Sequence, residues 1–345
     1  MKILLITLMA LPCLAHSQTS KTRHVFIITT DGFRWQEVFN GGDSARLSKK
    51  VTSEASHAES DRYYGHREAL LPFIWSVIAT EGMILGNRKF NNKVSVRNVF
   101  NISYPGYNEI LTGFADPVLI PNLRISNRNR NILDMYGKTL QTKSKVAAFT
   151  TWNLFPYILN SRKGSFYLTS GPCAERAGSP DLNTFCNALQ YIKEYQPDLL
   201  FISFGETDEY AHQHRYGSYL SSAHQVDSLI GKLWEYIHSN PYYKDETTLI
   251  ITTDHGRGRG WAWFTHGPFV IGSGQTWLAM IGPDVYAAGE MKVSSDVFAK
   301  QIPATVNFLL GEPFVVRYSK TGLPISVICE KQNAGNSHPL LVSVK

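Results

Sequence analysis

Short, nearly continuous apolar runs recur along the chain at residues 24–30 (HVFIITT), 145–150, 197–204 (PDLLFISF), 247–252 (TTLIIT) and 277–281 (WLAMI). Runs of this length, apolar on both faces, predict buried strands. Between them, residues 69–80 and 183–194 carry helical spacing. So do residues 219–239, where Val226, Leu229, Ile230, Leu233 and Ile237 form one apolar stripe. A further helix is expected after Pro105. Residues 46–64 are polar and charged and read as a surface loop or insertion. Strands alternating with helices predict an α/β fold: a mostly parallel central sheet covered on both faces. No repeat, low-complexity tract or linker interrupts it.

Three of the strand-like runs lead into acids: Asp31 after VFIITT, Asp208 after FISFGET and Asp254 after LIITT. In open α/β sheets, ligands gather beyond the carboxyl ends of the strands. Acids placed there point to a site that needs carboxylates.

Composition narrows the picture only slightly. With 345 residues, 43% hydrophobic and 18% charged, the chain can build one large α/β domain or two smaller ones. The opening MKILLITLMALPCLAHS has one basic residue, a short apolar run and a small-x-small end at Ala15-His16-Ser17. It reads as a secretory signal, residues 1–17, followed by a single domain over 18–345. No segment is long enough to span a membrane, so the mature chain is expected to be exported, into a bacterial periplasm or outside the cell. The formal charge is +6, and +6 − 1 = +5 without Lys2. The surplus is spread along the chain. It fits an anionic ligand, and no basic-aromatic array suggests nucleic-acid binding. Of the four cysteines, Cys13 leaves with the signal, Cys173 and Cys186 are the expected disulfide, and Cys329 is left over.

The chemistry-bearing residues are Asp31, Ser103 in NISYPGYNEILTG, Asp208 and His212 in TDEYAHQH, Asp254 and His255 in TTDHGRG, and His266 in WFTHGP. Carboxylates and imidazoles are the usual ligands of a borderline divalent metal such as zinc. Asp208 and His212, four apart, share one face of a helical turn. Each residue alone also has a plain role. Asp31 and Asp254 suit turns, Ser103 suits a helix N-cap, and His266 suits packing among tryptophans. His214, two past His212, would point elsewhere.

Taken in order, the set resembles the alkaline phosphatase superfamily, and within it the nucleotide pyrophosphatase/phosphodiesterase branch, from about Val25 to about Pro283. The resemblance implies a three-layer α/β/α sandwich and a site with two divalent metal ions, zinc by preference. It implies that Asp208, His212 and His266 hold one ion, and that Asp31, Asp254 and His255 hold the other, with Ser103 beside it. Ser103 stands where the family's nucleophile does, in place of the usual Thr, and a phosphoseryl intermediate follows. An Asn downstream of the nucleophile contacts a phosphoryl oxygen in the family. Asn122 is the preferred candidate here, Asn108 the second, and Asn127, Asn129 and Asn131 lie nearby. Sulfatases of the superfamily carry an Arg where this chain has Tyr107, which argues against that chemistry.

The expected activity is therefore hydrolysis of a small-molecule phosphodiester or nucleotide pyrophosphate. A phosphomonoesterase or phosphotransferase with the same ligand set is the alternative. A noncatalytic carbohydrate- or surface-binding protein, using Trp261 and Trp263 for stacking, is more distant.

Overall fold

A computed structural model of the chain describes residues 20–46, 62–119, 122–141, 143–171, 178–311 and 322–325. The expected signal segment, residues 47–61 of the expected loop, and Cys13, Cys173 and Cys329 lie outside the described residues, and with Cys173 so does the expected disulfide.

Strand β1 (His24–Thr30) is buried at every position. Val25 and Ile27 enter the core on one side of the sheet, Phe26 and Ile28 on the other, as the two-residue side-chain period requires. It pairs in parallel with β6 (Leu199–Phe204) and with β7 (Thr247–Thr252). Beyond β6 lie β4 (Val146–Thr150) and β5 (Tyr167–Ser170). Beyond β7 lie β9 (Leu278–Ile281), β2 (Met83–Leu85) and β10 (Gly289–Glu290), giving eight strands in the order β10-β2-β9-β7-β1-β6-β4-β5. Among the described strands of this sheet only β9 runs antiparallel to its neighbours. A smaller sheet joins β3 (Asn92–Ser95), β8 (Gln275–Thr276) and β11 (Ser295–Phe298) in the order β11-β3-β8.

Helices cover both faces, after a short first helix, α1 (Trp35–Asn40), that follows β1. Helices α4 (Pro180–Tyr195) and α6 (Tyr216–Ser239) pack on the side of Phe26 and Ile28. The expected stripe of α6, from Val226 to Ile237, is buried there. On the other face lie α2 (Ser103–Thr112), α3 (Ile132–Leu140) and α7 (Ile302–Leu309). The result is the three-layer α/β/α sandwich.

The expected helix over residues 69–80 is broken. A turn at Arg67–Leu70 stops before Pro72, and a separate π-helical turn follows at Ile74–Ile78. Proline disfavours helical dihedrals at the residue before it, and Leu71 sits at φ −129°, ψ 68°. Asp227 of α6 takes over the exposed amides, accepting from Phe73 N and Ile74 N at 2.7 and 3.0 Å.

The short helix α5 (Glu206–His212) follows β6 directly. A reciprocal contact with the start of α4 holds it. Asp181 accepts from Gly205 N and Glu206 N at 2.7 and 3.0 Å, while Glu206 accepts from Asp181 N at 3.1 Å and from Ser179 Oγ. Each carboxylate thus satisfies orphan amides at the other helix's N-terminus. Burial and the neighbouring Glu206 push the Asp181 carboxyl up to about 7.

Candidate active site

The three central strands, β7, β1 and β6, end side by side, and their extensions supply the acids. Asp31 follows β1 and is anchored through its amide to Phe204 O, 2.9 Å away. The next residue, Gly32, lies in the left-handed region at φ +57°. A Cβ there would fall 2.8 Å from an Arg257 nitrogen, so only glycine fits this turn. Gly32 N donates to Asp254 Oδ1 at 3.0 Å, tying the β1 turn to the β7 turn. Thr207 Oγ1 donates to Asp31 O at 2.6 Å, tying β1 to α5.

Ser103 is the first residue of α2, one place inside the expected cap. Its helix approaches the β7 turn closely because Gly106 has no side chain: a Cβ at that position would lie 2.3 Å from Asp254 O. The Ser103 hydroxyl lies 3.2 Å from His255 Nε2. His255 is fully buried and is the hub of the cluster. Its Nε2 stands 3.4 Å from Asp31 Oδ1, 3.4 Å from Asp254 Oδ2 and 3.9 Å from Asp208 Oδ1. The ring of His266 stacks on it at 3.8 Å. His266 Nε2 lies 3.6 Å from Asp208 Oδ1 and 3.0 Å from His212 Nε2, and His212 Nε2 lies 3.3 Å from Asp208 Oδ2. The fold therefore brings Asp31, Ser103, Asp208, His212, Asp254, His255 and His266 into one cluster.

Two sets within it have metal-holding geometry. Asp31, Asp254 and His255 form one, and Asp208, His255 and His266 the other, each with ligand atoms within 4.8 Å of one another. His212 touches the second through Asp208 and His266. The ring nitrogens are oriented for it. His255 Nδ1 lies 2.9 Å from Gly256 O and His266 Nδ1 3.3 Å from Asn101 O. A carbonyl only accepts, so in the neutral rings each Nδ1 carries the proton and each Nε2 offers its lone pair to the centre.

The electrostatics also favour cations. Asp31 Oδ1 and Asp254 Oδ2 are buried without a hydrogen-bond partner, an arrangement that costs free energy unless a positive charge satisfies it. Burial, with Asp31 close by, pushes the Asp254 carboxyl upward. Burial disfavours charge on His255, but Asp254 and Asp31 outweigh it and raise the imidazole to about 9. Burial, His255 and Arg257 hold His266 well below the usual imidazole range. Oxygen and imidazole donors in this mixture suit zinc and similar divalent ions, and the residues fit the metals that the superfamily uses.

Two residues that the sequence reading left aside touch the cluster. Tyr107, noted there only as a departure from the sulfatase pattern, donates from its hydroxyl to Asp31 Oδ2 at 2.9 Å and accepts from Ser203 Oγ at 3.0 Å. Arg257, buried among the glycines of DHGRG, donates to Gly32 O, Phe264 O and the Asp208 carboxylate. Burial draws its guanidinium down to about 9. An arginine two positions past the Asp254-His255 pair was its only sequence signal.

Asn122 stands beside Tyr104, the residue after Ser103. Its Oδ1 accepts from Tyr104 N at 2.9 Å, and its backbone takes φ 44°, so it is a turn residue as well. Asn108 is not brought into the cluster. It is fully buried, with its amide donating to Phe114 O and accepting from Asn127 and Asn129. Asn131 caps α3 through Asp134 N. His214 stacks on Phe264. Trp263 packs into the core against Tyr216 and Tyr219, which leaves Trp261 alone exposed.

Such a fold, with acids and imidazoles gathered at the carboxyl edge of its central strands, is that of the alkaline phosphatase superfamily. Residues 74–260 match the family model of type I phosphodiesterases / nucleotide pyrophosphatases. This is more than half of the chain, which belongs to that family. The matched segment includes Ser103, Asp208, His212, Asp254 and His255; Asp31 and His266 lie outside it. Solved structures agree on the fold. The lipoteichoic acid synthase LtaP from Listeria monocytogenes is 12% identical with a TM-score of 0.59, covering 90% of this chain and 76% of its own. A phosphonate monoester hydrolase from Silicibacter pomeroyi is 13% identical with a TM-score of 0.59, covering 88% and 76%. A 2-O GAG sulfatase is 14% identical with a TM-score of 0.57, covering 92% and 76%. No curated protein matches the sequence. The chain is a hydrolase of a metal-dependent superfamily. Among the described residues no helix is long and apolar enough to cross a membrane.

Proposed function

We propose that this protein hydrolyses small-molecule phosphodiesters or nucleotide pyrophosphates through a phosphoserine formed on Ser103. The observation that carries this reading is the position of the Ser103 hydroxyl. It sits at the first residue of a ten-residue helix, 3.2 Å from His255 Nε2, in the same cluster as the unpartnered oxygens of Asp31 and Asp254.

Asp31, Asp254 and His255 would hold one divalent cation, and Asp208, His212 and His266 the second, with zinc the ion that the donor set suits. Bound there, two such ions supply Lewis-acid stabilisation of the charge on phosphorus and on the oxygens entering and leaving. The remaining roles belong to the chain. The α2 N-terminus favours an incoming phosphoryl group through its dipole. Ser103 Oγ gives up its proton and bonds to phosphorus as the bond to the leaving oxygen opposite breaks, and the leaving oxygen takes up a proton from solvent. Water then cleaves the phosphoserine from the vacated side, restoring the hydroxyl. Asn122, fixed by its bond to Tyr104 N, offers its amide N–H to a phosphoryl oxygen. Tyr107 and Arg257 hold the Asp31 and Asp208 carboxylates in place.

The first 17 residues are read as an export signal, with the rest acting as one domain in a bacterial periplasm or outside the cell.

The test compares hydrolysis of bis-p-nitrophenyl phosphate with that of p-nitrophenyl phosphate, using protein expressed without residues 1–17 and supplied with zinc. Faster cleavage of the diester supports the proposal. A dominant monoester rate makes the protein a phosphomonoesterase on the same site, and no cleavage of either ester removes the assignment.

A further inference from the structure

We propose that a cleft beside the nucleophile, built around Arg124 and Arg162, binds a second phosphate group of the substrate, remote from the ester that is cut. This inference rests on the assignment of Ser103 as the nucleophile and adds a substrate class to it.

The cleft has a volume of about 300 Å³ and is lined by Arg124, Ser126, Asn153, Pro156, Tyr157 and Arg162. Its walls are tied to the residue after the nucleophile. The Tyr104 hydroxyl donates to Ile125 O at 2.7 Å and to Tyr157 O at 3.2 Å, so one side chain reaches from Ser103's neighbour to both sides of the cleft. Asn127 N donates to Tyr157 O at 2.9 Å and Asn127 Nδ2 to Ile158 O at 3.1 Å, linking the walls a second time. Asn122, bonded to Tyr104 N, is two residues before Arg124, at most about 7 Å along an extended chain. A group in the cleft therefore lies against the same turn that holds Asn122 to Tyr104, where the second phosphate of a nucleoside-bridged substrate would sit.

The charges select the ligand. Other arginines are already engaged: Arg130 with Asp134, Arg34 with Glu37 and Arg257 with Asp208. Arg124 and Arg162 have no ion-pair partner among the described residues, and no acid lines the cleft. Two unpaired guanidinium forks facing one cavity match a phosphate dianion, which each can bind through paired N–H donors. Ser126 and Asn153 add polar contacts, and Tyr157 with Pro156 gives an apolar wall for the body that carries the phosphate. The mechanism makes no other use of these two cations.

The test uses a matched pair of esters that release the same nitrophenolate: thymidine 5′-(p-nitrophenyl phosphate) and its 3′-phosphorylated form. The wild type should favour the second in kcat/KM by about tenfold or more, and the preference should shrink as salt is raised, since the arginines are solvent-exposed. In Arg124→Gln/Arg162→Gln the two esters should become equal, while cleavage of bis-p-nitrophenyl phosphate, which has no second anion, stays at the wild-type rate. No preference in the wild type, or a preference that survives the double substitution, overturns the inference. No cleavage of bis-p-nitrophenyl phosphate by the wild type would instead strike the phosphodiesterase reading on which the inference rests.

Discussion

The hydroxyl of Tyr107 donates to Asp31 Oδ2 at 2.9 Å from one helical turn beyond Ser103. The helix that presents Ser103 therefore also orients a carboxylate of the cluster. Tyr107→Phe removes the hydroxyl that donates to Asp31 and accepts from Ser203, and leaves the packing against Phe155 and Phe201. It should lower metal affinity or kcat about 10- to 100-fold, the usual effect of losing a partner that orients a ligand. Titration of the metal-free protein with zinc, followed by rate measurements, reads both.

Ser103→Ala should reduce turnover to background while zinc content stays that of the wild type. The hydroxyl is the proposed attacking group, and the expected donor set does not depend on it alone. Phosphate trapped on the protein at low pH, present in the wild type and absent from the variant, is the second readout. Wild-type turnover by the variant would remove Ser103 from the mechanism.

His212 is the most exposed of the clustered imidazoles, with 44% of its side chain accessible. His212→Ala should cost one metal equivalent of two, measured by elemental analysis after dialysis against chelator-treated buffer. A variant that retains both metals would detach His212 from the centre.

Gly106→Ala should destabilise the fold by about 1–3 kcal/mol, the range for inserting a methyl into a close-packed contact. The added carbon would lie 2.3 Å from Asp254 O, and the backbone there cannot step aside without moving the β7 turn. A lowered urea midpoint, with a loss of activity exceeding the unfolded fraction, is the expected pair of results.

Asp181 supplies a pH dependence. Its folded carboxyl is raised to about 7 from an ordinary 3.8, so the folded state holds a proton that the unfolded chain has already released. Its contribution is complete below about pH 4 and is lost as pH rises towards 7, at up to about 1.4 kcal/mol per pH unit. Urea midpoints of the wild type should fall over that window relative to those of Asp181→Asn. Parallel curves for the two proteins would contradict the shift.

Much of this arrangement was legible in the sequence because the central strands are apolar on both faces and leave little ambiguity. Residues 247–252 and the stripe from Val226 to Ile237 fall where their patterns put them. The acids at 31, 208 and 254 could be found because each follows such a run. What failed to show was set by context. Pro72 splits the helix expected over 69–80, and apolar spacing alone does not register a broken hydrogen-bond ladder. The antiparallel sense of β9 leaves no mark in a four-residue buried run. Tyr107 and Arg257 were passed over because their partners, Asp31 and Asp208, are distant in sequence, and a tyrosine within a helix looks like core. Asn108 had the opposite fault: a polar residue near the nucleophile looked available, yet burial commits its amide to the loop that follows α2.

The tie between Gly32 N and Asp254 Oδ1 joins residues 222 positions apart, and it has a consequence for how the protein comes into being. A growing chain has no cluster until β7 and the His266 loop have been made and β7 has docked beside β1. Closure of so long a loop is slow and entropically costly. Capture of the proposed metals is thus a late event in maturation, and it certifies that the central sheet has assembled: a misfolded chain carries the same ligands but has no place to bring them together, and an incomplete one lacks some of them.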